Sequence, residues 1–196
     1  MSARPTVLLT GASGVVGRSI LRERAARGEH GPRVIAATRG APVPEAEGPT
    51  VALDMTAERF GLDEESHAAL AAEVDTVIHS AGLTEWGLPA REYEPVNIEG
   101  TRRVIDFAEQ AGASVHYMST AFVAALAPTA PAALGEDNVC RNYIHSKRLA
   151  EGLLRESGLR HTVFRPTNLI GDSLSGWTSQ GQIVQLMSDW LGRGRA

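Results

Sequence analysis

The stretch Thr10-Gly11-Ala12-Ser13-Gly14-Val15-Val16-Gly17 decides the fold, because its three glycines separate a short apolar run from a helix-like pattern. Gly11 permits a tight turn, Gly14 lets the backbone approach a phosphate, and Gly17 lets the helix pack close to the sheet. The free N–H groups and the positive dipole end of that helix favour an anion. A strand before the turn and a helix after it therefore predict a site for a dinucleotide pyrophosphate, with a plain structural turn as the alternative.

Working outward, strand-like and helix-like segments alternate along the rest of the chain. Short apolar runs at 6–9, 33–38, 50–53, 76–79, 114–118 and 161–164 predict strands. Helical patterns follow at 15–27, 64–73, 96–111, 137–157 and 180–191. This alternation predicts an α/β fold, a Rossmann-like doubly wound parallel sheet with helices on both faces.

Charge and cysteine content exclude several classes of protein. The 19 basic and 23 acidic side chains give a net charge of −4 with no basic patch, which argues against nucleic-acid binding. No run of about 20 apolar residues and no signal-peptide core are found, so we expect a cytoplasmic protein that does not enter a membrane. The single cysteine, Cys140, excludes an internal disulfide and a cysteine-based zinc site, and we expect no metal.

The end of the second predicted strand bears on the choice of nicotinamide cofactor. It has the sequence Ala37-Thr38-Arg39-Gly40 and carries no carboxylate for a free ribose hydroxyl. The planar guanidinium of Arg39 suits a 2′-phosphate, which predicts NADPH (NADP when oxidised), and Arg18 is a candidate second contact. The alternative is that both are solvated surface arginines in an arginine-rich chain.

A tyrosine and a lysine four residues apart, Tyr143 and Lys147, fall on one face of the long predicted helix. Lys147 is the only lysine of the sequence, which counts against the alternative of an ordinary surface charge. Reduction of a carbonyl creates an alkoxide that needs a proton, and a phenol with its usual pKa of about 10 transfers one slowly near neutral pH. We expect the neighbouring ammonium to lower the pKa of Tyr143.

The glycine spacing G-x-x-G-x-x-G after Thr10 resembles the extended branch of the short-chain dehydrogenase/reductase superfamily, and the likeness covers about residues 5–178. It implies cofactor contacts from the glycine turn, the ends of the third and fourth strands, the Tyr-Lys pair and the segment after the sixth strand. The residues so implied are Thr10, Gly11, Ser13, Gly14, Val15, Val16, Gly17, Asp54, Met55, Ser80, Ala81, Gly82, Tyr143, Lys147, Pro166 and Thr167.

The same resemblance implies two further catalytic residues beside Tyr143 and Lys147. Thr120, after the fifth strand, would bond the substrate oxygen and stabilise its developing charge. Asn97 would support a water relay to Lys147. The alternatives are hydroxyls that only cap a turn and a polar residue at a helix N-terminus.

The segment 164–172 contains the pattern R-P-x-x-x-x-G. It most resembles the corresponding segment of reductases that release carrier-bound or coenzyme-bound thioesters as aldehydes or alcohols, including fatty acyl reductases. The resemblance implies an NADPH-dependent reductase that transfers a hydride to a carbonyl or acyl thioester by a Thr-Tyr-Lys mechanism. Two alternatives stay open. Arg39 counts against a nucleotide-sugar epimerase or dehydratase. The set Tyr143, Lys147 and Thr120 counts against a non-enzymatic NADP-binding protein.

The resemblance also divides the chain. Residues 1–178 form the predicted NADP-binding Rossmann domain, and 179–196 an amphipathic helix that starts a truncated or minimal C-terminal substrate domain. Its apolar stripe consists of Ile183, Leu186, Met187, Trp190 and Leu191. We expect this stripe to pack on the same domain, on a second copy in a homo-oligomer, or on a partner chain.

Overall fold

Six parallel strands form one sheet in the computed structural model, in which residues 4–127, 135 and 137–192 are described. The strands are β1 (Thr6–Thr10), β2 (Arg33–Thr38), β3 (Thr50–Ala52), β4 (Thr76–His79), β5 (Ser114–Met118) and β6 (His161–Phe164). Their spatial order is β3-β2-β1-β4-β5-β6. The predicted Rossmann-like doubly wound sheet is confirmed.

Helices connect all successive strands except β2 and β3, and one further helix follows β6. They are α1 (Val15–Ala26), α2 (Glu64–Glu73), α3 (Ala90–Tyr93), α4 (Glu99–Ala111), α5 (Arg141–Glu156) and α6 (Ile183–Gly192). A π-helical turn, Glu94–Ile98, joins α3 to α4. None of the helices in the described ranges has the length and apolarity needed to cross a membrane.

Alternate residues of the strands feed two apolar layers. Leu8 of β1 and Val115 of β5 belong to a layer that includes Val104 of α4 and Leu154 of α5. Leu9 belongs to the opposite layer, which packs against α1. Because successive side chains of a strand point to opposite faces, this split places helices on both sides of the sheet.

The order of the strands reverses between β1 and β4, because β2 and β3 lie on one side of β1 and the later strands lie on the other. In open parallel sheets a ligand binds at such a switch point, beyond the carboxyl ends of the strands. The glycine turn follows β1, and residues 80–82 follow β4. The fold therefore brings two of the predicted cofactor segments to one edge.

Three predicted helix starts were wrong, and one of them is that of α6, which begins at Ile183 instead of 180. Helix α5 begins at Arg141 instead of 137, because the Asn138 side chain accepts a hydrogen bond from the Cys140 amide (2.9 Å) and favours a turn there. The predicted helix 96–111 begins within the π-helical turn, and only 99–111 is α-helical.

The apolar stripe of α6 is exposed where the structure describes it. Met187, Trp190 and Leu191 are each more than half exposed, so these three do not pack on the described part of the domain. The side chains of Ile183 and Leu186 lie outside the described residues. Cover by a second copy or a partner chain stays a prediction.

Candidate active site

The glycine turn forms a cradle that any side chain would fill. Gly11 has φ +68°, and a Cβ there would lie 2.5 Å from the Ala81 amide nitrogen. A Cβ on Gly17 would lie 2.3 Å from the Gly11 carbonyl oxygen. The N-cap residue of α1 is Gly14, so no side chain caps the helix N-terminus, and the first turn of α1 carries no acidic residue. The exposed helix N-terminus and the close backbone approach fit a dinucleotide pyrophosphate.

A buried histidine that the sequence analysis did not single out ties this turn to the next strand. His79 Nδ1 lies 2.8 Å from Thr10 Oγ1, and His79 Nε2 lies 3.2 Å from Thr101 Oγ1. The Thr101 hydroxyl donates to the Asn97 carbonyl oxygen (2.7 Å), so Nε2 must donate to Thr101 and Nδ1 accept from Thr10. Burial lowers the pKa of His79 to about 3, which keeps the ring neutral as this arrangement requires.

One cavity of about 220 Å³ lies beyond the ends of β1, β2 and β4. The predicted cofactor residues that line it are Thr10, Gly11, Ser13, Gly14, Arg39, Asp54, Met55, Ser80, Ala81 and Gly82.

Arg39 and Asp54 bring opposite charges to this cavity. Hydrogen bonds from the Thr56 hydroxyl and amide lower the pKa of Asp54, which is therefore a carboxylate. Among the described residues, no hydrogen bond or ion pair of the Arg39 side chain is found, although its charge contributes to the lowered pKa of Asp54. A cation and an anion in the same cavity offer partners to a phosphate and to an amino group respectively.

Arg18 lies outside this cavity. Its Nε and Nη2 donate to the two carboxylate oxygens of Glu45 (2.7 and 2.6 Å), and its Nη1 donates to the Ser179 carbonyl oxygen (3.2 Å). A contact between Arg18 and the cofactor stays a prediction. It requires the guanidinium to leave Glu45 and bind the cofactor instead.

The loop after Asp54 has an unusual backbone. Arg59 and Phe60 both have positive φ, 48° and 58°, which side chains other than glycine rarely adopt. The Asp54 amide donates to the Phe60 carbonyl oxygen (2.9 Å). The left-handed turn therefore holds the wall of the cavity that carries Asp54.

A second cavity of about 550 Å³ lies beyond the ends of β4, β5 and β6. The predicted site residues that line it are Gly14, Val15, Val16, Ser80, Gly82, Thr120, Tyr143, Lys147, Pro166 and Thr167. Gly14, Ser80 and Gly82 line both cavities, so the two form one continuous cleft. A groove of about 660 Å³ between the loop 58–60 and α4 contains none of the predicted site residues.

Lys147 is buried, with 3% of its surface exposed. Its Nζ donates to the Met118 carbonyl oxygen (2.9 Å) and lies 4.8 Å from the centre of the Tyr117 ring. Burial lowers the pKa of Lys147 to about 8, against the opposing charge of Glu151. Lys147 is therefore charged near neutral pH and loses its proton as the pH rises above about 8.

Tyr143 is buried on the same face of α5 and is 6.2 Å from the Tyr93 ring, centre to centre. Burial raises the pKa of its phenol, and Tyr93 adds to the shift. The expectation that Lys147 lowers this pKa was wrong, because desolvation dominates and the ammonium donates to Met118. Tyr143 keeps its proton at neutral pH.

Thr120 follows β5 and begins a short 3₁₀ turn, Ala121–Leu126. Its Oγ1 accepts a hydrogen bond from the Phe122 amide (3.3 Å), which leaves the hydroxyl hydrogen available. The residue therefore presents a donor to the cavity that Tyr143 and Lys147 also line.

Asn97 is fully enclosed in the π-helical turn and does not line either cavity. Its Oδ1 accepts from the Leu83 amide (2.7 Å), and its Nδ2 donates to the Leu83 carbonyl (3.0 Å) and to Ser146 Oγ (2.9 Å). These contacts join the loop after β4 to α5 between Tyr143 and Lys147. The predicted water relay stays a prediction.

The sequence analysis missed a buried acid, Glu151, one helical turn after Lys147. It contacts Ser119 and Arg165 at the ends of β5 and β6. Its spacing of four residues from Lys147 was the available signal. No group of three potential metal ligands is found within the described ranges.

Comparisons with known proteins agree with this geometry. A profile of the NAD-binding family described as male sterility protein matches residues 49–196. The hybrid PKS-NRPS synthetase pvhA of Talaromyces variabilis is 31% identical over 183 residues, which is 88% of this chain and 4% of that protein. The adenylate-forming reductase Nps9 of Serpula lacrymans is 31% identical over 151 residues, 70% of this chain and 13% of that protein.

Among solved structures, the terminal R domain from the myxalamid PKS-NRPS biosynthetic pathway has a TM-score of 0.72 and 27% identity. The match covers 88% of this chain and 51% of that one. The chain thus spans about half of this R domain and a small part of the curated relatives.

Proposed function

The chain belongs to the male sterility protein family, and from this membership we infer that it is an NADPH-dependent reductase that delivers a hydride to a carbonyl or acyl thioester. The observation that carries the proposal is the continuous cleft. A pyrophosphate cradle and Arg39 lie at one end, and Thr120, Tyr143 and Lys147 lie at the other.

The residues of the first cavity suit the adenosine half of the cofactor. Backbone N–H groups in the first turn of α1 would hold the pyrophosphate, and Arg39 would hold a 2′-phosphate. Asp54, a carboxylate, can accept from an adenine amino group. When bound, NADPH supplies the hydride, and all other chemistry falls to the side chains of this chain.

Proton delivery falls to Tyr143. The raised pKa of its phenol keeps the proton in place until negative charge develops on the substrate oxygen. Thr120 can donate its free hydroxyl hydrogen to the same oxygen and so stabilise that charge. The Lys147 ammonium, buried in the same cavity, would bond the nicotinamide ribose. This division of labour is the Thr-Tyr-Lys mechanism.

We propose that the substrate is an acyl group bound to a carrier or coenzyme, and that the protein acts in the cytoplasm. The names of the relatives support this class, since one is a hybrid PKS-NRPS synthetase and another an adenylate-forming reductase. The exposed side chains of α6 support a further proposal, that a second copy or a partner chain covers this helix.

The test is an assay of NADPH consumption with a panel of acyl thioesters, aldehydes and ketones, and the product is identified as aldehyde or alcohol. We expect turnover on at least one thioester or aldehyde with NADPH. Tyr143→Phe is the inactive control, and His145→Gln, an exposed neighbour on α5, is the matched active one. No consumption on any compound by the wild-type protein, with NADPH shown to bind, would contradict the proposal.

A further inference from the structure

Glu151 lies where three elements meet. It is 3% exposed on α5, and its Oε1 accepts hydrogen bonds from Ser119 Oγ (2.5 Å) and Arg165 Nε (2.9 Å). Its Oε2 accepts from Arg165 Nη2 (2.5 Å). Ser119 follows β5 and Arg165 follows β6, so one carboxylate connects α5 to the ends of two neighbouring strands.

The charge state of Glu151 fits this role. Burial alone would raise its pKa, but the hydrogen bonds from Arg165 and Ser119 hold it below the usual range. Removal of one partner from a buried ion pair is costly because the other charge is left without compensation. The ionised carboxylate and the guanidinium therefore maintain one arrangement of the three elements.

The groups that this carboxylate fixes adjoin the proposed catalytic residues. The Ser119 amide donates to the Phe164 carbonyl (2.8 Å), and the Ala121 amide donates to the Pro166 carbonyl (2.9 Å). Thr120 stands between these two cross-strand bonds. Lys147 stands one helical turn before Glu151 on α5.

We propose that Glu151 is a positioning residue of the active site, whose carboxylate ties α5 to the ends of β5 and β6 and so holds Lys147 and Thr120 in register. The inference rests on the proposed function for its effect on turnover. Its geometric part does not depend on which substrate is reduced.

A second consequence is electrostatic. The titratable groups that face Lys147 are Tyr143 on its own helix, Tyr117 on β5, His79 on β4 and Glu151. The phenols keep their protons because burial raises their pKa values, and His79 is neutral. Of these groups Glu151 carries the negative charge that raises the pKa of Lys147 against desolvation.

The test uses the fact that Lys147 is the only lysine in the sequence. Protein labelled with ¹³C at lysine Cε gives one lysine signal, whose shift against pH reports Lys147 directly. In Glu151→Gln we expect the midpoint to fall below the wild-type value of about 8. In Glu156→Gln, the matched loss of an exposed carboxylate on the same helix, we expect no change.

Turnover supplies the second readout. Glu151→Gln is expected to lower kcat roughly 10- to 100-fold with a smaller change in KM for NADPH, since misplaced catalytic groups reduce the rate of the chemical step. Ser119→Ala removes one hydrogen bond and keeps the charge, so it should lower kcat while the Lys147 midpoint stays unchanged. It also serves if Glu151→Gln does not fold.

The outcomes separate the two proposals. An unchanged Lys147 midpoint or an unchanged kcat in folded Glu151→Gln overturns the positioning role, as does an unchanged kcat in Ser119→Ala when Glu151→Gln does not fold. If the wild-type protein reduces nothing, the proposed function fails. The titration, which needs no turnover, then decides the position of Glu151 by itself.

Discussion

The two ends of the cleft are built in different ways. At the adenosine end, the backbone of the glycine turn forms the cradle, and the side chains that could choose the ligand, Arg39 and Asp54, are exposed. At the catalytic end, the working groups are buried side chains held by further buried side chains, such as Lys147 beside Glu151. Under the proposed function, cofactor specificity therefore depends on exposed side chains, whereas the chemistry depends on an enclosed network of side chains.

The largest expected effect comes from a substitution that disables only the catalytic end of the cleft. Tyr143→Phe should lower turnover about 10²- to 10⁴-fold, the usual worth of a positioned proton donor, because the ring is kept and the phenol lost. NADPH affinity should stay nearly intact, since the adenosine end is untouched and the ring of residue 143 can still pack. Steady-state rates with a fluorescence titration of NADPH give both values. A variant that retains more than about a tenth of the wild-type rate would refute the general-acid role.

The next largest effect comes from a substitution that alters only the adenosine end of the cleft. Arg39→Ala should reduce the preference for NADPH over NADH by roughly 10- to 100-fold, since a charge-assisted hydrogen bond contributes about 1.5–3 kcal/mol. The affinity for NADH should stay constant. Titration of both cofactors against this variant measures the change in preference. The control is Arg91→Ala, which removes an exposed arginine outside the cleft. Equal wild-type affinities for the two cofactors would remove Arg39 from the site.

A pH titration sharpens the contrast, because only the catalytic end holds a group that titrates near neutral pH. The pKa of Lys147 is lowered to about 8, so its ammonium is present below pH 8 and lost above it. The value of kcat/KM for NADPH, which reports the free enzyme, should fall above pH 8 by at most about tenfold per pH unit. In Lys147→Arg the charge persists and this limb should disappear, although the rate is lower. A wild-type profile that is flat from pH 7 to 10 would contradict the assignment.

The smallest effect concerns α6, which follows Gln182 in the lining of the second cavity. Trp190→Ser should change the free energy of unfolding by less than about 0.5 kcal/mol, because the side chain is already more than half exposed. If a second copy covers α6, the same substitution weakens self-association. Chemical denaturation and analytical ultracentrifugation measure the two quantities. A wild-type protein that is monomeric at all concentrations rules out the second copy as the cover.

The sequence predicted the glycine turn and the grouping of its neighbours around one cavity because the signals for them are local. The glycine spacing, the strand before it and the helix after it lie within about a dozen consecutive residues, and the sheet followed from the alternation of apolar patterns. The pair Tyr143 and Lys147 was also visible, since four residues make one helical turn.

The network around the catalytic pair could not be predicted, because its contacts join distant parts of the chain. Ser119 and Glu151 are 32 residues apart, and Thr10 and His79 are 69 apart. The same limit explains the error over Tyr143, whose pKa depends on burial by tertiary packing more than on its neighbour in sequence. It also hid Glu45, which lies 27 residues from the Arg18 that it binds.

The left-handed turn at Arg59 and Phe60 has a consequence for motion. Each such residue costs about 1–3 kcal/mol, and surrounding contacts must hold it in place. Among them is the hydrogen bond from the Asp54 amide, so opening of this loop releases strain while it dismantles one wall of the adenosine cavity. We expect the amides of residues 54–61 to exchange with solvent through local opening well before the central strands do. A dinucleotide that binds only the closed wall would slow that exchange, so the strain stored here makes the loop a natural reporter of occupancy.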